Sequence, residues 1–288
     1  MPRVRGKPAP QPARVVAIVA VLVACGSVVA FLPGGFSRWT WPKLLLAVVA
    51  IAVALFSPRT GRLPRWAWWV GGAGLTVLLI AAIASGDPSG LWGRWPRYTG
   101  PLVAVPVGIG AAWLGAALLG PASPRQVRRV FRDGLAVVAI LIAAVALLES
   151  LGLRPIASEL ARPGSLLGNA SDQAVVGLMI AAVLFAEVIG GPGGRRRWLT
   201  IGGLVAGLGA VTLSASRAGY AALLGALLGV MVLTVLARRR AGREPSVPRR
   251  VWAWLGGQVS IISPYVLMMI ILIIRPYGLF GTREVERV

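Results

Sequence analysis

Nine apolar runs dominate this chain, at residues 15–33, 43–57, 67–84, 101–120, 134–152, 173–190, 198–214, 218–237 and 251–274. A hydrocarbon layer of ~30 Å takes roughly 20 residues of helix to cross, and most of the runs approach that length. The second is short, and the ninth is interrupted by Gly256, Gly257, Gln258 and Pro264. Within lipid a segment must satisfy its own backbone hydrogen bonds, so each run is expected to be helical. The predicted fold is therefore all-α: a polytopic transmembrane bundle of about nine spans.

Composition excludes a soluble reading. Hydrophobic residues make up 57% of the 288 residues and the mean hydropathy is +0.77, whereas soluble domains hold an apolar share nearer ~45–50%. The expected organisation is a basic cytoplasmic amino terminus over residues 1–14, an eight-span bundle over 15–237, an Arg-rich cytoplasmic linker over 238–250, and a ninth span with its tail over 251–288.

The net charge of +21 would point to nucleic acid in a soluble protein. Here the charges form short clusters between apolar runs, such as Arg195, Arg196 and Arg197, with no basic face and no aromatic platform. Membrane orientation explains them, and no nucleic-acid partner is expected. With the amino terminus in the cytoplasm, twenty basic residues fall on inside segments and seven in outside loops. That asymmetry is the positive-inside pattern and predicts a cytoplasmic amino terminus in a bacterial inner membrane, the bilayer being the first partner.

Tryptophans flank the runs, among them Trp39, Trp41, Trp66, Trp68, Trp69, Trp92, Trp95 and Trp198, as amphipathic rings do at a membrane interface. Gly203, Gly207, Gly225 and Gly229 are expected to let neighbouring helices approach closely. The sequence contains no histidine, and its one cysteine, Cys25, lies in the first run. Disulfides within the chain, His-ligated metals and Cys/His catalysis are thereby excluded, and no cofactor is expected. Leu22-Val23-Ala24-Cys25 has the look of a lipoprotein processing site, but the apolar run continues to Phe31, so an uncleaved first helix is the expectation.

Several outside loops hold arginine against the orientation rule. The tight Ser214-Ala215-Ser216-Arg217-Ala218-Gly219 hairpin keeps Arg217 close to the hydrocarbon boundary, where a charge must snorkel, pair or line a wet cavity. Arg97, Arg162 and Arg217 could alternatively converge on an anionic group, since guanidinium offers paired donors to phosphate oxygens.

Three segments carry a family resemblance. Gly93-Arg94-Trp95-Pro96-Arg97-Tyr98-Thr99-Gly100, Arg162-Pro163-Gly164-Ser165-Leu166-Leu167-Gly168-Asn169 and Ser216-Arg217-Ala218-Gly219 resemble successive signatures of the bacterial O-antigen ligase and polymerase superfamily, in order and at similar spacing. The resemblance covers roughly residues 15–240. It implies a polyprenyl (undecaprenyl) diphosphate-linked glycan as ligand, at the outer face of the inner membrane, without metal or nucleotide. It also implies that Arg162 and Arg217 bind the carrier diphosphate, and that Arg97 and Asn169 shape the pocket.

Transfer to a hydroxyl acceptor further needs a base, and arginine with a pKa above ~12 cannot serve. Proteins of this kind supply a histidine from a large outside loop after the Ser-Arg helix and its partner, and neither is present in this sequence. Asp87, Glu159, Asp172 and Glu149 are the remaining carboxylates on that side. Turn, cap and solvation roles account for them. The expectation is a glycosyltransferase-like chain, truncated and incomplete for transfer, with no assigned catalytic residue.

The text changes after Arg250. Residues 263–288, above all Arg275-Pro276-Tyr277-Gly278-Leu279-Phe280-Gly281, resemble the carboxyl-terminal tail of branched-chain amino-acid ABC transporter permeases of the LivH type. That resemblance implies a cytoplasmic tail, whereas nine crossings from a cytoplasmic start end outside. A permease subunit, or a fusion of gene fragments, is the alternative expectation.

Overall fold

The computed structural model describes residues 11–32, 39–84, 91, 100–153, 155–156, 163–190 and 197–226. Among them there is no strand, and the helices are α1 (Gln11–Val29), α2 (Thr40–Leu55), α3 (Arg65–Ala84), α4 (Pro101–Leu119), α5 (Arg125–Ser150), α6 (Ala170–Gly190), α7 (Arg197–Leu213) and α8 (residues 217–226). A 3₁₀ turn, Ser165–Leu167, precedes α6.

Five helices among the described residues are long and apolar enough to cross a membrane: α1, α3, α4 from Leu102, α5, and α6 as far as Val188. Helices α2 and α7 are apolar but shorter. Their surfaces carry exposed large apolar side chains such as Leu45, Trp69, Ile83 and Val205, as an acyl-chain solvent allows. The chain is thus a helical protein of membrane character. The ninth apolar run and most of the eighth lie outside the described residues.

Helix starts follow local chemistry. Pro42 sits in the first turn of α2 and Pro101 opens α4, positions at which the missing N–H would have had no intrahelical partner. Helix α5 begins nine residues before the apolar run that marks it in the sequence. Its first two turns are amphipathic, with Val127 buried while Arg125, Arg128 and Arg129 stay exposed. A hydropathy window reads such a stretch as loop.

Packing centres on α5, which lies against α1, α4, α6, α7 and the 3₁₀ turn, while α6 and α7 make the most extensive helix pair. The core is rich in alanine: Ala20, Ala50, Ala54, Ala136, Ala139 and Ala210 are nearly inaccessible, together with Val21, Leu118, Ile142 and Leu184. Small side chains bring backbones close where lipid supplies no hydrophobic drive between helices. Gly177 and Gly207 face each other across α6 and α7, so that a Cβ on either would lie 2.8 or 2.9 Å from the other's carbonyl oxygen. Gly203 meets Ala136 of α5 in the same manner, as expected of it, whereas a Cβ on Gly225 would meet nothing within 4 Å among the described residues.

Hydrogen bonds join the ends of successive helices at two places. The α2–α3 loop is clasped to the end of α4 by Thr60, whose N and Oγ1 both donate to the Ala117 carbonyl at 2.7 and 2.6 Å. At the opposite end Lys43 near the start of α2 donates to Ala30, just past α1, and to Leu166, just before α6. The helices therefore alternate up and down. Arg14, Arg59, Arg62, Arg65, Arg125, Arg128, Arg129, Arg132 and Arg197 fall at one end; Lys43 and Arg217 are the basic residues described at the other.

Candidate functional site

The candidate site lies at the Lys43 end, where the start of α6, the α7–α8 hairpin and the α1–α2 corner are described. Gly168 closes the 3₁₀ turn in the left-handed region, with φ +76°. Asn169 then caps α6: its Oδ1 accepts from the Ser171 amide at 3.0 Å, supplying a partner that the helix itself cannot offer. Asp172 follows in the first turn, where a carboxylate complements the positive end of the helix. It is exposed.

The hairpin between α7 and α8 is knitted by serines. Ser214 Oγ donates to the Val211 carbonyl at 2.7 Å and accepts from the Ser216 amide at 3.2 Å. Ala215 adopts a φ of +48°, a left-handed geometry that a non-glycine residue rarely takes. Ser216 Oγ accepts from the Gly219 amide at 3.4 Å and so caps α8. Tyr220 ties α8 back to α7, its hydroxyl donating to the Thr212 carbonyl at 2.9 Å.

The two caps meet. Ser171 Oγ and Ser216 Oγ stand 3.4 Å apart, and Gly219 is so close to α6 that a Cβ there would lie 2.4 Å from the Ala174 Cβ. The amino-terminal ends of α6 and α8 are consequently neighbours, with Arg217 exposed as the first residue of α8. Behind them Gln173 is fully buried and its Nε2 donates to the Ala210 carbonyl at 2.9 Å.

Lys43 stabilises the floor of this region. Its Nζ donates to the Ala30 carbonyl at 2.7 Å and the Leu166 carbonyl at 2.8 Å, and lies 5.8 Å from the Trp39 ring centroid. An ammonium here fills carbonyl valences left open at the end of α1 and compensates its negative pole. Lys43 and Asp172 influence each other's charge, without an ion pair between them. Trp39 stacks on Phe31 at 6.0 Å.

Of the residues the sequence points to, Asn169 and Arg217 are brought to adjacent helix starts, and Arg97 and Arg162 lie outside the described residues. Asp87 and Glu159 also lie outside them, while Glu149 is buried at the end of α5. Sequence reasoning missed Lys43 as a tie between segments. Its signal was an amine opening an apolar run, in a chain with only one other lysine. Among the described residues no group of three or more Cys, His or carboxylate side chains could hold a metal ion. Comparison with models of protein families, with curated proteins and with solved structures found no match for this chain.

Proposed function

We propose that this protein binds a polyprenyl diphosphate-linked glycan at the outer face of a bacterial inner membrane, as an O-antigen ligase-like chain incomplete for transfer. The observation that carries this reading is the meeting of the two helix starts at Ser171 and Ser216, 3.4 Å apart, with Asn169 and Arg217 beside them. Two helix amino termini side by side, each with unsatisfied N–H groups and a partial positive charge, suit a ligand with two phosphate groups. Arg217 adds a guanidinium that can donate to two oxygens at once.

Orientation supports the same assignment. The arginine-rich end fits the cytoplasmic side and the Lys43 end the outer side, where a carrier-linked glycan awaits its acceptor. The reading is one of binding: guanidinium groups stabilise a departing diphosphate but cannot take a proton from an acceptor hydroxyl.

The test is direct binding of undecaprenyl diphosphate to the purified full chain. Arg217→Ala is expected to weaken binding by roughly 1.5–3 kcal/mol, the scale of hydrogen bonds to charged groups, while Arg197→Ala at the opposite end leaves it unchanged. Equal affinity in wild type, Arg162→Ala and Arg217→Ala would return these arginines to snorkelling.

A further inference from the structure

The arginine-rich end contains a second cationic feature, remote from the proposed glycan site. Two loops, residues 56–64 and 120–124, are fastened to each other. Besides the Thr60 bonds to Ala117, the Ala122 amide donates to the Thr60 carbonyl at 3.4 Å. Gly61 and Gly120 allow the contact: a Cβ on Gly120 would lie 2.5 Å from Thr60 O and 2.6 Å from Gly61 Cα. The clasp unites separate charge runs into one patch. Arg59 and Arg62 flank Thr60, Arg65 opens α3, and Arg125, Arg128 and Arg129 line the first turns of α5; all are exposed.

No carboxylate lies in residues 56–65 or 120–132. Arg59 is held over the Trp113 ring at 5.8 Å, while Arg132 is taken by Asp133 at 2.8 Å. Among the described residues the other guanidiniums have no acidic partner, which leaves them free to meet an external anion. Ser123, two residues before α5, is buried, and its hydroxyl has no hydrogen-bond partner among the described residues.

The neighbouring apolar side chains decide what kind of anion. Phe56 is 80% exposed and Trp69 78%, with Leu55 and Trp66 also exposed around the same loop. A soluble phosphate has no use for that surface, and an acidic protein segment would have to reach it through the headgroup layer. An amphiphile matches both parts at once, phosphate on the arginines and acyl chain along the aromatics.

We propose that the clasped 56–64 and 120–124 loops, with the start of α5, form a binding site for the phosphate headgroup of an anionic phospholipid. The clasp would make the site specific, because it ties the backbone segments that carry Arg62 and Arg125 to each other and so offers both arginines to one headgroup.

The experiment uses the full chain in nanodiscs of phosphatidylcholine containing a minor share of cardiolipin, with retained lipid read by native mass spectrometry. Wild type should retain cardiolipin. Arg62→Gln/Arg125→Gln should retain it about tenfold less or worse, since each surface basic residue contributes several-fold to anionic-lipid affinity. Arg197→Gln, at the same end but off the clasp, should behave as wild type. Thr60→Val, which keeps every arginine but removes the Oγ1 bond, should fall between them. Equal loss in Arg197→Gln would reduce the patch to diffuse charge attraction and overturn the proposal. So would full displacement by inorganic phosphate at low millimolar concentration, the mark of a free-anion site, or retention of an acidic protein in place of lipid. Size-exclusion profiles identical to wild type check that the arginine changes and Thr60→Val leave the fold intact.

Discussion

Gly168 and Trp39 claim the same space: a Cβ on Gly168 would lie 2.4 Å from Trp39 Cγ and 2.5 Å from its Cδ1. The glycine also sits at φ +76°. Both facts demand hydrogen at that position, one for sterics against the indole and one for the left-handed backbone. The contact seats the 3₁₀ turn on the α1–α2 corner and thereby sets where Asn169 starts α6. Gly168→Ala is expected to cost about 1–3 kcal/mol of stability, combining the backbone penalty with overpacking. Thermal unfolding in detergent measures it, and an unchanged midpoint would mean that the turn is not pressed against Trp39.

Lys43 tests the same corner from the polar side. Its two carbonyl bonds join the end of α1 to the segment entering α6. Lys43→Met keeps the aliphatic stem and removes the donors. Hydrogen bonds to a charged group contribute about 1.5–3 kcal/mol, but those measured between membrane helices average nearer ~0.6, so a total loss of about 1–3 kcal/mol is expected. Hydrogen exchange should rise at Leu167 and Gly168 before it rises in the core of α5. Lys43→Arg should restore the wild-type value only in part, because a longer stem with a rigid planar fork replaces a compact ammonium with freely rotating donors.

Much of this arrangement was legible beforehand, and what was missed has physical causes. Apolar runs mark helices because lipid leaves the backbone no alternative, which is why α1 to α4, α6 and α7 stand where the runs place them. The first turns of α5 escaped because arginines at 125, 128, 129 and 132 mask the buried Val127 in any averaged hydropathy. The Ser216-Arg217 hairpin announced itself by its brevity. Lys43 did not: a basic residue at the head of a run reads as an interface anchor, and its partners are carbonyls, which no side-chain pattern reveals. Gly177 was likewise invisible, since its role depends on facing Gly207 across a helix pair.

Gln173 gives a prediction whose sign runs against intuition. The side chain is wholly buried, its Nε2 bonded to Ala210 O, yet its Oε1 has no partner among the described residues. Ala210 O already accepts from the Ser214 amide at 3.1 Å, so removing the amide leaves no orphaned carbonyl. A lost donor bond of about 1 kcal/mol is then offset by relief of a buried unpaired acceptor, worth about 1–3 kcal/mol. Gln173→Leu should therefore be neutral to stabilising within about 1 kcal/mol. Gln173→Glu should be clearly destabilising, because it exchanges the donor for a second acceptor or a buried charge. A large loss in the Leu variant would show that Oε1 is satisfied after all.

Orientation supplies the last prediction, and every assignment of a face depends on it. Among the described residues one end holds Arg14, Arg59, Arg62, Arg65, Arg125, Arg128, Arg129, Arg132 and Arg197 against the acids Asp133 and Glu187; the other holds Lys43 and Arg217 with Glu149 and Asp172. Positive residues near span ends are retained on the cytoplasmic side, and acids weigh little in that choice. The α4–α5 loop should thus be cytoplasmic and the segment after α5 external. Ala122 and Leu153 are exposed on those two segments. In a Cys25→Ala background, cysteine at Leu153 is expected to react with an impermeant maleimide on intact cells, while cysteine at Ala122 reacts only after the membrane is opened. Cys25 itself is buried against α5, with Sγ 3.0 Å from where a Gly134 Cβ would stand, so its removal clears the background at small structural cost. The reverse labelling pattern would turn the molecule over and place the Asn169–Arg217 end in the cytoplasm, where a glycan-loaded carrier awaiting an external acceptor is not found. The anionic-lipid site would survive that inversion, because both leaflets of such a membrane offer phosphate; the glycan reading would not.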